Sequence, residues 1–238
     1  MDSHHHDIIR LAWSRRLGLE DSALRPSHRH IEIDNNATSV TFVRLGDASA
    51  LIGPENVVSA STNSWASKYT DDELSERGVL GALGAGRSHG PVALYFAGDI
   101  GTSIDRHDPL ISHELSHVLA LEALCAPDDV IAAELTRKRS WFTVLGDDEP
   151  ADTAAPLATA AYLEWEGVLA DLGVLTAPGA RRQGNGQVVA RLATNDAFDE
   201  GMIPQWRTNS ENGTSRRLAA RLGYEEWGVF VSVELSGT

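Results

Sequence analysis

The chain has 238 residues, of which 42% are hydrophobic and 23% charged, with a formal net charge of −14. That balance predicts a globular fold of one large or two small domains and excludes a disordered chain. The acidic excess excludes a basic nucleic-acid face, and no apolar run approaches the roughly 20 residues of a membrane span.

Cys125 is the single cysteine, so an intramolecular disulfide and a thiolate-rich metal site are both excluded. A reducing cytosol is the expected compartment, because the first residues also lack the basic-then-apolar pattern of a secretory signal. The acidic field would draw amines toward the protein, although solubility alone accounts for such a charge.

In chain order, the periodicity predicts a helix over residues 5–16, then strands over 30–33, 39–45 and 48–52. Gly46-Asp47 suits a hairpin turn between the last two. Thr70 caps a helix expected over 70–83, and a Gly-rich loop comes after it over 84–90. The rhythm then changes, and strand 92–98 is succeeded by helices 109–124 and 127–136. Strand 140–145, an acidic loop 147–155, and strands 158–165 and 169–176 come next. Helix 186–200, strand 203–208, helix 212–222 and two closing strands, 224–227 and 230–235, complete the series. Such mixing predicts a mixed α/β sheet with helices on its faces. A helix between strands 169–176 and 203–208 makes a crossover, so those two strands should be parallel and adjacent. The expected division is an N-terminal module over 1–90 and a second domain over 91–238.

The most informative stretch runs from Thr176 through Pro178, Arg181 and Gly184 to Gly186. A strand ends at proline, which cannot continue a ladder, and two glycines open the next helix. The first amides of a helix lack intrahelical acceptors, and the helix dipole favours anions, so a diphosphate fits there. The bland alternative is a tight crossover with no ligand. Neither a P-loop nor a dinucleotide-binding glycine fingerprint is present.

The spacing Thr176, Pro178, Arg181, Gly184, Gly186 resembles the acyl-CoA-binding motif of the GNAT N-acetyltransferases. A second stretch is similar to that family's later motif: Asn212, Ser215, Leu218 and the closing Gly223-Tyr224. The resemblance covers about 92–235 in element order and is specific at residue level from about 169 to 227. It implies a GNAT-like acyltransferase core, preceded by an α/β extension or a degenerate companion module. It further implies acetyl-CoA as co-substrate, no metal, and direct transfer of an acetyl group to a primary amine of a small molecule or peptide. Neither nucleic acid nor membrane is an expected partner, and because the family often dimerises, a homodimer is compatible with it.

Residue by residue, the resemblance assigns the backbone of Val174, Leu175 and Thr176 to the pantetheine arm and thioester. The pyrophosphate falls to the amides of Arg182, Gln183, Gly184, Asn185 and Gly186, with charge from Arg181 or Arg182. Asn212 would bond the pantetheine arm, with Ser215 one turn along the same helix. Asp171 and Glu166 are the candidate general bases, with Glu164 behind them, and surface carboxylates of no chemical role are an equal reading. The family's usual tyrosine acid is replaced by Ala219, which leaves the thiolate's proton donor open and keeps a catalytically weak acyl-CoA-binding protein as an alternative.

A competing motif is His113-Glu114-Leu115-Ser116-His117. On a helix it would set two imidazoles one turn apart for zinc, with Glu114 as base of a hydrolase. No histidine comes after His117 to serve as a third ligand, and nine histidines raise the chance of an accidental match. The same residues could instead border an acceptor pocket. Trp141, Trp165, Trp206 and Trp227 fall on expected strands as core or sheet surface. Cys125 reads as a small apolar residue, and residues 137–139 (Arg-Lys-Arg) as a solvated turn.

Overall fold

The computed structural model describes residues 1–58, 69–75, 88, 91–98, 109–146 and 154–235. The second half of the expected helix 70–83, nearly all of the loop 84–90 and most of the acidic loop 147–155 lie outside the described residues. The chain is mixed α/β. Its elements are α1 (Ser3–Arg16), β1 (Arg29–Ile33), β2 (Ser39–Leu45), β3 (Ala48–Gly53), α2 (Glu55–Val58), α3 (Asp71–Ser75), β4 (Val92–Phe96) and β5 (Ile111–Ser112). Then come α4 (Leu115–Leu124), α5 (Pro127–Ala133), β6 (Ser140–Leu145), β7 (Pro156–Trp165), β8 (Leu169–Thr176), α6 (Asn185–Asp199), β9 (Ile203–Asn209), α7 (Gly213–Arg221) and β10 (Glu225–Glu234).

The chain forms two compact units. One holds Met1, Phe96–Trp206 and Leu218–Tyr224; the other holds Asp2–Tyr95, Arg207–Arg217 and Glu225–Thr238. The expected boundary at residue 90 does not coincide with the division between them, because the last strand of the chain is built into the unit that holds most of the first 95 residues.

In that unit the strand order is β1-β3-β2-β10-β4. Apolar residues alternate along β2, and Gly46, at φ +61°, lets the chain turn back after Leu45 to pair Leu45 with Ala48. β10 pairs antiparallel with β2 from Gly228↔Leu45 to Glu234↔Ser39. The closing segment is therefore one strand rather than the two expected. Gly228 marks a break in the sequence pattern, but its role is close approach: a Cβ there would lie 2.5 Å from the Arg44 carbonyl oxygen. Val40, Phe42, Leu51, Val58, Leu74, Val231 and Val233 form this unit's core. The Asp2 side chain caps α1 by accepting from the His5 amide.

In the other unit the order is β9-β8-β7-β6-β5. β7 and β8 form a hairpin through a turn at Glu166-Gly167, both at positive φ. β8 and β9 are parallel neighbours, as the crossover helix requires. The apolar faces of α4 and α5 meet β7 and β8 through Val118, Leu121, Ala133, Leu135, Ala161 and Leu175.

The helix expected over 109–124 is shorter. Ile111–Ser112 is a strand paired with β6, and Glu114 is the extended residue before α4. This overturns the arrangement a zinc site needs. His113 precedes the helix, so His113 and His117 do not share one helical face. Instead His113 Nδ1 pairs with the Trp141 carbonyl at 2.7 Å and His117 Nδ1 with the Ser112 hydroxyl at 2.7 Å.

Candidate functional site

β8 is where the two sides of a strand differ. On one side it pairs with β7 along its whole length, from Leu169↔Trp165 to Thr176↔Ala158. On the other its ladder with β9 runs only from Leu169↔Ile203 to Leu172↔Trp206. Gly173, Val174, Leu175 and Thr176 continue beyond that ladder. Backbone groups on such a margin need other acceptors and donors. The thioester-binding segment assigned from sequence, Val174 to Thr176, lies on this stretch.

The strand then enters a braced turn. The Ala177 amide donates to the Leu157 carbonyl at 2.9 Å, and Pro178–Ala180 forms a single 3-10 turn. The Asn185 side chain, 4% exposed, donates to the Ala180 carbonyl at 3.3 Å and so ties the start of α6 to that turn. Arg182 has φ +63° and Gly184 φ +87°, the left-handed conformation that aims successive amides toward one side. The Gly184 carbonyl accepts from the amides of Gln187 and Val188. Among the described residues, the amides of Arg182, Gly184 and Gly186 have no backbone acceptor. Gly186 sits against the end of β8, where a Cβ would come within 2.8 Å of the Thr176 hydroxyl. The turn is therefore amide-rich and at the positive end of a 15-residue helix, which fits a diphosphate.

The basic side chains of this turn differ. Arg181 donates from Nε to the Thr176 carbonyl at 3.3 Å and pairs with Asp129 of α5 at 2.8 Å. It braces the turn against α5. Arg182 is exposed. The Gln183 amide nitrogen donates to the Gly179 carbonyl at 3.1 Å. Cys125 lies beside this corner, with Sγ 3.8 Å from the Thr176 carbonyl, and burial pushes its thiol above the ordinary cysteine range. That raised value suits the apolar role read from sequence.

The two candidate bases occupy opposite settings. Asp171 is 2% exposed and bound on both oxygens. Lys138 Nζ lies 2.9 Å from Oδ2 and donates to the Asp171 carbonyl at 2.8 Å, while Gln205 Nε2 of β9 donates to Oδ1 at 3.2 Å. This knot stands where the β8–β9 ladder ends. Glu166 is exposed at the hairpin turn, with φ +51°. At about 3.3 Å per residue, that turn is roughly 30 Å of chain from Thr176.

Sequence reasoning misses Lys138. Flanked by Arg137 and Arg139 it reads as a solvated turn, yet it is 4% exposed. The signal that could have found it is Asp171 itself: a carboxylate inside the buried strand Leu169–Thr176 demands a cation.

Asn212 precedes α7, and its Oδ1 accepts from the Ser215 amide at 3.1 Å, the geometry of a helix cap. Ala219, where the family's tyrosine would stand, is fully buried. Trp165 and Trp206 are 8% and 5% exposed, so both are core residues. Among the described residues no helix is long and apolar enough to cross a membrane.

No protein-family model and no curated protein matches the chain. Solved structures are similar to it in fold. A protein from Novosphingobium aromaticivorans assigned to the GNAT acetyltransferases is 20% identical at TM-score 0.49, with 64% of this chain and 66% of that one covered. A GNAT-family acetyltransferase from Colwellia psychrerythraea is 18% identical at TM-score 0.49, covering 69% and 62%. A GCN5-related N-acetyltransferase from Kribbella flavida is 20% identical at TM-score 0.45, covering 68% and 63%. The chain thus spans slightly less than two thirds of the length of each of these three structures.

Proposed function

We propose that this protein is an acetyl-CoA-dependent N-acyltransferase that moves an acetyl group directly to a primary amine. The observation that carries the reading is the continuation of β8 past its β9 ladder, straight into the amide-rich start of α6. The motif resemblance at Thr176, Pro178, Arg181, Gly184 and Gly186 supports it. Acetyl-CoA would supply an activated thioester. The amides of Arg182 to Gly186 would hold its diphosphate, with Arg182 adding charge and Arg181 keeping the turn in shape. The backbone of Val174, Leu175 and Thr176 would orient the pantetheine arm, and a backbone N–H there can polarise the thioester carbonyl. Sequence resemblance alone assigns Asn212 and Ser215 to the same arm.

Transfer requires a neutral amine. Asp171 is the first candidate to receive its proton, because it lies on the strand that carries the thioester segment; Glu166, at the far turn, is the second. The chemistry then forms the amide C–N bond, breaks the C–S bond and returns a proton to the thiolate, with water as donor where Ala219 offers none. A reducing cytosol, consistent with the lone Cys125, is the proposed location.

Calorimetric titration with acetyl-CoA tests this reading. Wild type should bind in the micromolar range, and Gly184→Trp should lose binding by about a hundredfold or more, since it sets a bulky side chain, in a backbone conformation that favours glycine, among the proposed diphosphate amides. A well-folded wild type that does not bind acetyl-CoA would sink the proposal. Turnover with an amine panel then separates an enzyme from a protein that only binds the cofactor.

A further inference from the structure

β1 stands at the end of the strand order β1-β3-β2-β10-β4, and among the described residues no strand lies on its outer side. Its sequence is Arg-His-Ile-Glu-Ile over residues 29–33. Ile31 and Ile33 are 41% and 44% exposed, two apolar side chains on one face of a marginal strand. An edge strand presents backbone N–H and C=O groups that can template pairing with a second chain.

We propose that β1 is a self-association edge, at which two copies of this chain pair their β1 strands antiparallel about a two-fold axis at Ile31. The inner ladder determines which groups face outward. The His28 carbonyl accepts from the Ser49 amide and the Asp34 amide donates to the Gly53 carbonyl. Backbone groups alternate sides along a strand, so the even-numbered residues face β3 and the odd-numbered ones face away. The N–H and C=O of Ile31 therefore point to the outer side, and those of Ile33 share that direction. An antiparallel partner centred on Ile31 sets Ile31 against the second copy's Ile31 as a hydrogen-bonded pair, and Ile33 against Arg29 with the same parity.

This register is also self-complementary in charge. It places His30 opposite the second copy's Glu32, and Glu32 opposite the second copy's His30. The two already meet within one strand, His30 Nε2 lying 2.9 Å from Glu32 Oε2. Arg29 is paired with Asp71 on the face that carries Ile31 and Ile33. On a chain of net charge −14, this short strand is close to neutral, so it is a place where two copies can approach without strong repulsion. A shift by one residue would set inward-pointing groups against outward-pointing ones and lose the ladder. A two-fold axis at one residue makes the interface isologous and closed, so it predicts a dimer rather than a fibre.

The inference does not rest on the acyltransferase reading. Sedimentation equilibrium of the full chain should show a monomer–dimer equilibrium with a midpoint on the order of 10 µM, as a small interface gives. Ile31→Lys, at an exposed side chain, should shift it at least tenfold toward monomer. His30→Glu should do the same by setting Glu against Glu, and the double variant with Glu32→His should recover the dimer. For the register, Ile31→Cys in a Cys125→Ser background should form an intermolecular disulfide on oxidation. Its two Cα atoms would stand about 5.5 Å apart, within disulfide reach. Ile33→Cys should not cross-link, its symmetry mates being roughly 14 Å apart along the strands. A wild type that stays monomeric throughout, a dimer indifferent to Ile31→Lys, or cross-linking through Ile33→Cys in preference to Ile31→Cys would each overturn the proposal.

Discussion

Two strand margins have no ladder partner among the described residues, the last four residues of β8 on one side and the outer side of β1, and their surroundings set them apart. The last four residues of β8 are covered on one face by α5 and run into a glycine turn and a helix N-terminus. Among the described residues β1 has no strand on its outer side, and it carries Arg29, His30 and Glu32 beside Ile31 and Ile33. An unpaired margin is thus not a site in itself. The segment that succeeds it in the chain, and the side chains that stand on it, decide whether it is suited to a small anion or to a second β-strand. The first margin begins beside a buried ion pair, Lys138 with Asp171, and ends at a glycine turn. The second depends on backbone parity and on the charge pattern of His30 and Glu32.

The comparison breaks most sharply at Lys138. Lys138→Met leaves the buried Asp171 carboxylate without its cation, and the expected cost is about 3–5 kcal/mol in urea unfolding. Adding Asp171→Asn should regain most of that loss, because the uncompensated charge is gone. Unchanged stability in Lys138→Met would mean that the buried Asp171 carboxylate does not depend on this cation. Neither change should alter association through β1.

Gly173→Ala is the next largest. A Cβ at that position would lie 2.0 Å from the Ala133 carbonyl oxygen, so α5 must retreat from β8. Overpacking of this kind costs about 1–3 kcal/mol. Calorimetric melting should show the loss, and acetyl-CoA affinity should fall with it, while the β1 equilibrium stays as in wild type.

The smallest effect shows its pH dependence only in alkaline solution. Tyr162 of β7 is pushed up to about 12 by burial and by its hydrogen bond to Asp196. The unfolded phenol titrates near 10, so the folded state holds its proton more tightly. The stabilisation is fully present below about pH 10 and is lost as pH rises through the folded value. Tyr162→Phe should remove this pH dependence between about 10 and 12, read from unfolding curves across that window. A wild-type phenol titrating near 10 in the folded protein would contradict the buried pair with Asp196.

Much of this architecture is legible from residue pattern alone. Strands Ser39–Leu45, Ser140–Leu145 and Leu169–Thr176 match their periodicity end to end, and the crossover helix correctly makes β8 and β9 parallel. The glycine turn into α6 is legible too, because left-handed backbone and helix starts have local chemistry. Errors fall where a distant partner overrides local preference. Gly228 reads as a break because its closeness to Arg44 is a contact across nearly the whole chain. The helix expected before Leu115 gives way to β5, whose pairing with β6 no local window contains.

What the sequence by itself determined is the set of elements and the chemistry of their ends. Periodicity, caps and glycines act over a few residues, and the chain carries them wherever it folds. The tertiary structure alone decided that the final strand completes the sheet of the opening residues, and that Lys138 is buried against Asp171. It also decided that β8 runs four residues past the end of its ladder with β9. Each of these is a match between segments far apart in the chain, set by burial and pairing that no single stretch encodes.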